Sequence, residues 1–263
     1  GFIVFNHRTY PLFTRLLDQL GVPTRESDMS FSLDCRRSGL VYASHSVGGL
    51  FAQRRNLVRP AYLVMLLEIL RFNRAARRDL RTGRLAGITL GAYLRAQRFR
   101  PFLRDHYIIP MAAAIWSSPD AEILDFPMET FARFFDNHGL LRVTDQPRWR
   151  FVAGGSRTYV AAFTQRFRGE VAAGAPAAGL LREADGVRVR LENGALRRHD
   201  GAVVATHADE ALALLEDPSP EERRALAPWR YSANDVVLHT DPSWMPEERR
   251  AWASWNYRRE AAQ

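Results

Sequence analysis

Gly154 and Gly155 are the first residues from which a binding site can be argued. They stand between a short apolar lead-in, FVA, and a helical pattern that starts at Ser156. A glycine pair placed so permits close backbone approach to a neighbour or a ligand; a tight turn without a ligand is its plainer use. His106, Tyr107 and Trp116 share one helix-like stretch around the run IPMAAAIW. Its alanines leave room, and its aromatics suit either a pocket wall for an apolar substrate or the packing of a core. Trp252, Trp255 and Tyr257 alternate imperfectly, as on a strand facing a ligand or a sheet core. Asn137-His138-Gly139 reads as a helix end. Other chemistries are excluded by composition. All 37 basic residues are arginine, which removes a Schiff-base lysine and a P-loop lysine from this chain. The single cysteine, Cys35, excludes an internal disulfide and fits a reducing compartment. Seven scattered histidines lack metal-ligand spacing, so no metal site is expected.

The elements that must position these residues follow from periodicity. Phe2 to Phe5 reads as a strand. A helix follows with Thr9 as cap, Pro11 in its first turn, an apolar stripe of Leu12, Phe13, Leu16, Leu17 and Leu20, and Gly21 as its stop. Ser30 to Leu33 and Leu40 to Ala43 read as two strands joined by a polar turn, which suits an antiparallel sheet. Pro60 to Leu80 reads as a long helix, apolar in its first half and basic in its second. A second helix follows Thr89 as cap, and a third runs from about Arg100 to Trp116, which Pro110 must kink or split. Asp125 to Leu141 is helical and rich in phenylalanine. Val187, Val189 and Leu191 alternate with arginines, the period of a half-exposed strand, and Asn193-Gly194 is a hairpin turn. Ala202 to Ala205 is an unbroken apolar run, expected as a strand buried on both faces, with a helix following through Ala208, Ala211, Leu212 and Leu215. Strand, short turn and helix make the geometry in which α/β folds bind ligands beyond strand ends. Ser219, with Glu222 three residues on, starts another helix. Asp235 to Thr240 and Ala253 to Tyr257 read as strands rejoining the sheet begun at Ser30.

The ordered set GGSRTYV, VAAGAPAAGLL, DGVRVRLENG and DGAVVATHADEALALL resembles the flavin-dependent amine oxidase superfamily, which includes protoporphyrinogen oxidases and phytoene-type desaturases. GFIVFNHRTYP, SDMSFSL, GLFAQRRNL, HYIIPMAAAIWS, FFDNHGLL and AWASWNYR resemble a bacterial branch of predicted NAD/FAD-binding proteins. The resemblance covers nearly the whole chain. It implies an α/β (α+β) fold: part of a doubly wound FAD-binding layer, plus a helix-rich substrate domain with an antiparallel sheet. The implied division is a substrate domain over 1–145, part of the FAD-binding domain over 146–215, and the rest of the substrate domain over 216–263. In the family a GxGxxG turn lies upstream of Gly1 and a glycine-rich flavin segment lies downstream, so the chain is expected to be the middle of a longer flavoprotein. FAD is the implied cofactor. Its contacts fall at Gly154, Gly155, Ala177, Ala205 and Thr206, with Ala177 standing where most relatives have valine; a backbone contact survives that change. His106, Tyr107, Trp116 and Trp255 are the substrate-side candidates, and no catalytic residue is assigned. Many amine oxidases hold a water near flavin N5 with a lysine, and none is present here. The implied activity is hydride transfer from an apolar or lipid-like substrate to flavin N5. The alternative is a cofactor-less module on the same fold that binds membrane surfaces.

With 46% apolar and 25% charged residues, the chain has an ordinary globular composition and enough length for a sizeable core. Its charge is uneven. Arg54 to Arg104 holds 13 arginines against Glu68 and Asp79, a net of +11 where the whole chain is +8. Such a run serves as a solvated helix face, as an anionic-membrane contact or as a nucleic-acid contact. No helix-turn-helix, zinc finger or RNA-binding sheet accompanies it, so nucleic acid is not expected. No apolar run reaches the ~18 residues of a membrane span, and no basic, apolar leader opens the chain. The expected place is the cytoplasm, possible partners being a small or lipid substrate and the inner membrane face.

Overall fold

The computed structural model describes residues 4–231 and 233–260. The elements run α1 (Pro11–Leu20), β1 (Thr24–Glu26), β2 (Phe31–Cys35), β3 (Leu40–Ala43), α2 (Val47–Leu50), α3 (Pro60–Arg81), α4 (Leu90–Ala96), α5 (Pro101–Leu103), α6 (Ile109–Trp116), α7 (Asp120–Ile123), α8 (Met128–Asn137), β4 (Arg150–Val152), α9 (Ser156–Arg166), β5 (Ala177–Glu183), β6 (Gly186–Leu191), β7 (Leu196–His199), α10 (Ala208–Leu214), α11 (Pro220–Leu226) and β8 (Trp255–Arg259). Two compact units divide them: Gly1–Gln165 with Val236–Gln263, and Arg166–Asp235. This is an α+β mixture.

The first unit is built on a mixed sheet. β3 pairs antiparallel to β2, and β8 returns from the far end of the chain to pair parallel to β2, from Phe31–Trp255 to Cys35–Arg259. All five residues of β2 and all four of β3 are buried, because helices cover this sheet. Its core joins Leu33 and Tyr42 to Tyr62, Met65 and Phe72 of α3, and to Phe131 and Phe135 of α8. α3 begins at Pro60, whose missing N–H costs nothing at a first turn. α4 is capped by Thr89, whose hydroxyl accepts from Ala92 N at 3.2 Å. A small ladder of β1 and β4, too short to show a period in sequence, holds a second core of Phe5, Leu17, Leu20, Val22 and Val152.

Pro110 has its expected effect by an unexpected route. The helix from Pro101 to Trp116 is not broken; it loosens into a π-turn over Arg104–Ile108. Ile109 N–H reaches back to Arg104 O, so Asp105 O loses its usual donor, and Pro110 has no N–H to offer His106 O. Both carbonyls find side chains instead. Arg259 Nη1 donates to Asp105 O at 2.9 Å, and Tyr42 Oη donates to His106 O at 2.8 Å. The turn is thus pinned by β8 on one side and β3 on the other.

The second unit is an antiparallel meander, β5-β6-β7, with α10 and α11. Ser219 and Glu222 form the reciprocal cap expected of them. Of its described apolar residues only Leu180, Leu191 and Ala211 are buried.

Three expectations need correction. Ala202–Ala205 is not a buried strand: it pairs with no strand among the described residues, and Val203 is 94% exposed. Asp235–Thr240 is likewise irregular, with Val236, Val237 and Leu238 exposed. An apolar run becomes a strand only where neighbours supply hydrogen-bond partners, and here none do. Thr9 does not cap α1. Asn6 Oδ1 accepts from Arg8 N, Thr9 N and the Thr9 hydroxyl, a local turn that competes with capping. Of the strand expected over Phe2–Phe5, residues 2 and 3 lie outside the described residues; Phe5 forms an antiparallel bridge to Arg150.

Candidate functional site

Gly154 and Gly155 form the turn between β4 and α9. Both adopt left-handed backbone, φ +81° and +80°, which is why both are glycine. A Cβ at Gly154 would come within 2.8 Å of Thr158 Oγ1, whereas nothing lies within 4 Å of the Gly155 position. The turn is therefore closed on one side and open on the other. Ala177 begins β5, opposite Leu191, and is exposed. Ala205 and Thr206 are exposed just before α10, whose start is capped by His207 with Glu210. The His207 ring stacks on Tyr231 at 4.4 Å. β5 is fastened to the far end of α10 by the Leu180–Leu215 bridge. Ala177, Ala205 and Thr206 thus belong to the second unit, Gly154 and Gly155 to the first.

The residues near Ala205 fit the approach of a dinucleotide. No hydrogen bond engages the backbone of residues 202–206 among the described residues, and the Ala202 and Ala205 side chains end at a methyl. Buried backbone N–H and C=O groups nearly always have partners. An exposed stretch with free ones and small side chains is suited to a polar ligand held by main chain.

The substrate-side candidates lie in the first unit. Trp116 stacks on Phe126 at 5.0 Å and meets Phe131, Phe134 and Phe135. Tyr107 is buried, which pushes its phenol up to about 12, so it keeps its proton at neutral pH. Trp255 opens β8, its N–H bonded to Ser30 O at 3.0 Å. Tyr107 and Trp116 are core-packing positions, and Trp255 is a strand position.

His106 is different. Its Nδ1 lies 3.1 Å from Phe102 O, a group that only accepts, so Nδ1 carries a hydrogen. Its Nε2 lies 2.9 Å from Ser38 Oγ, and its ring stacks on Phe102 at 4.1 Å. Cys35, 2% exposed at the end of β2, belongs to the same cluster. Burial alone would raise its thiol, but hydrogen bonding by His106 and by the Ser38 hydroxyl and N–H outweighs that, and lowers it from 9.0 to about 7. Sequence reading missed this group because its members come from β2, the β2–β3 turn and a helix 68 positions further on. The only local hint was a lone cysteine three residues before a serine.

Ser38 also lines an open groove of about 420 Å³ with Arg55, Val58, Arg59 and Pro60. Arg59 Nη2 donates to Ser38 O at 3.0 Å, and Arg55 Nη2 to Gly39 O. Both partners are neutral carbonyls, and the Arg59 guanidinium also lies over the Phe102 ring at 5.8 Å; neither arginine has an ion pair among the described residues. Among the described residues, no three His, Cys, Asp or Glu side chains converge on a metal position.

Residues 1–257 match the family described as flavin containing amine oxidoreductase. Solved structures share the fold at low identity. Cyclohexylamine oxidase from Brevibacterium oxydans IH-35A superposes with a TM-score of 0.60 at 15% identity, over 85% of this chain and 51% of its own. Putrescine oxidase bound to putrescine gives 0.57 at 14%, over 85% and 51%. The CLA-producing fatty acid isomerase from P. acnes gives 0.51 at 12%, over 86% and 51%. The chain thus spans about half the length of these structures. No curated protein sequence matches it.

Proposed function

The chain belongs to the flavin containing amine oxidoreductase family, and on that premise we propose that it forms part of an FAD-dependent oxidoreductase acting on an apolar or lipid-like substrate. The observation that carries this reading is the family match over nearly the whole chain. When bound, FAD supplies the electron sink, its N5 accepting the hydride released as a substrate C–H bond breaks. Ala177, Ala205 and Thr206 of the second unit would hold the cofactor through main chain. His106, Tyr107, Trp116 and Trp255 would keep water from the reacting bond, two of them, His106 and Trp116, through rings already fixed by stacking. The absence of any lysine favours a substrate other than an amine, and a fatty acid isomerase shares the fold. No helix among the described residues is long and apolar enough to cross a membrane.

Anaerobic mixing of the flavin-loaded protein with candidate donors tests the substrate class. Unsaturated long-chain donors are expected to bleach the flavin bands, and primary amines to leave them. Bleaching by amines alone would overturn the apolar-substrate assignment.

A further inference from the structure

We infer that the exposed face of α3, with the short 3-10 turn before it, docks on an anionic lipid bilayer. Leu63, Leu67 and Leu70 lie at i, i+4 and i+7, one stripe of the helix, and all three are exposed. Leu57 and Val58, in the turn Arg54–Val58, extend the apolar surface toward the N-terminus. A solvated helix face carries polar residues on such a stripe; a cluster of exposed leucines marks a surface that is covered in use.

Charge complementarity names what covers it. Arg54 and Arg55 flank the stripe at one end, and Arg71, Arg74 and Arg81 continue it at the other, all exposed. The two acids between Arg54 and Arg104 are buried and occupied. Asp79 is 2% exposed and accepts from Arg78 Nε at 2.9 Å and Tyr93 Oη at 2.9 Å. Glu68 accepts from Arg100 N at 3.2 Å and pairs with the exposed Arg71 at 3.4 Å, which leaves Arg74 and Arg81 as the unpaired cations of this face among the described residues. The solvent side of this stretch therefore offers cations and no anion. Arg74 and Arg81 have no ion pair among the described residues. Apolar side chains entering the acyl boundary, with guanidinium groups at the level of lipid phosphates, is how an interfacial helix binds. The groove of Ser38, Arg55 and Arg59 opens at the same end as Val58 and Pro60, where a headgroup phosphate would meet two fixed cations.

The inference is independent of the flavin reading, and its test reads no flavin. Co-sedimentation of the full-length protein is measured with phosphatidylcholine vesicles, with and without phosphatidylglycerol, at low and high salt. Binding is expected only with the anionic lipid and falls with salt. Arg74→Ala should weaken it roughly fivefold, and Leu67→Ala roughly tenfold. Both positions are exposed, and circular dichroism confirms that the variants fold. Equal binding to neutral vesicles, variants that bind like the parent, or a soluble dimer that Leu67→Glu dissociates would each overturn it.

Discussion

Replacing Phe131 by alanine is expected to lower the stability of the first unit by roughly 3–5 kcal/mol. Phe131 is wholly buried in α8. It stacks on Phe135 at 4.1 Å and meets Phe72 and Trp116 edge-on at 6.1 and 5.6 Å. Four aromatic rings from three helices thus share one centre, and none of the others can slide into the space without losing its own contacts. The loss adds the transfer free energy of the ring to the cost of the cavity. Urea unfolding followed by near-ultraviolet circular dichroism measures it. Leu12→Ala, at an exposed position of α1, is the control and should shift the midpoint little. A Phe131→Ala midpoint close to that of the control would mean that this cluster is not the core.

The second large effect concerns Cys35. Its thiol is expected to titrate with a midpoint near 7, which makes it roughly fiftyfold more ionised at pH 7 than a thiol titrating at 9.0. Because Cys35 is the only cysteine, thiolate absorbance measured against Cys35→Ser reports this one group. His106→Ala removes a lowering hydrogen bond and should move the midpoint up toward 9. The folded-state value is depressed, so the ionised form is favoured by folding. The resulting stability is fully present above about 9 and is lost as pH falls through about 7. Between these limits the urea midpoint should rise with pH, and the rise should vanish in Cys35→Ser. A midpoint near 9 in the parent protein, or one indifferent to His106, would contradict the cluster.

What could be read from sequence was what local interactions decide. α3 was expected over Pro60 to Leu80 and runs Pro60–Arg81, because its stripe and its proline are local. Thr89 and Ser219 cap as expected, since a cap needs only residues three positions away. β6 and its Asn193-Gly194 turn were legible for the same reason. Pairing over distance was legible in part. Ala202–Ala205 and Asp235–Thr240 have strand composition without strand partners among the described residues. The strand expected over Ala253 to Tyr257 does rejoin the sheet begun at Ser30, as β8 beside β2; its parallel sense is what no period records. The π-turn was half legible: Pro110 announced a lost hydrogen bond, but only the fold shows Tyr42 and Arg259 taking up the freed carbonyls. The cofactor candidates were legible only through family resemblance. Glycine and alanine bind through main chain, and main chain leaves little mark in sequence.

The absorbance spectrum of the full-length product of the gene tests most directly whether the protein holds a flavin. Flavin bands in the purified protein, with FAD released on denaturation, are the predicted result. A colourless protein that also takes up no added FAD would contradict it.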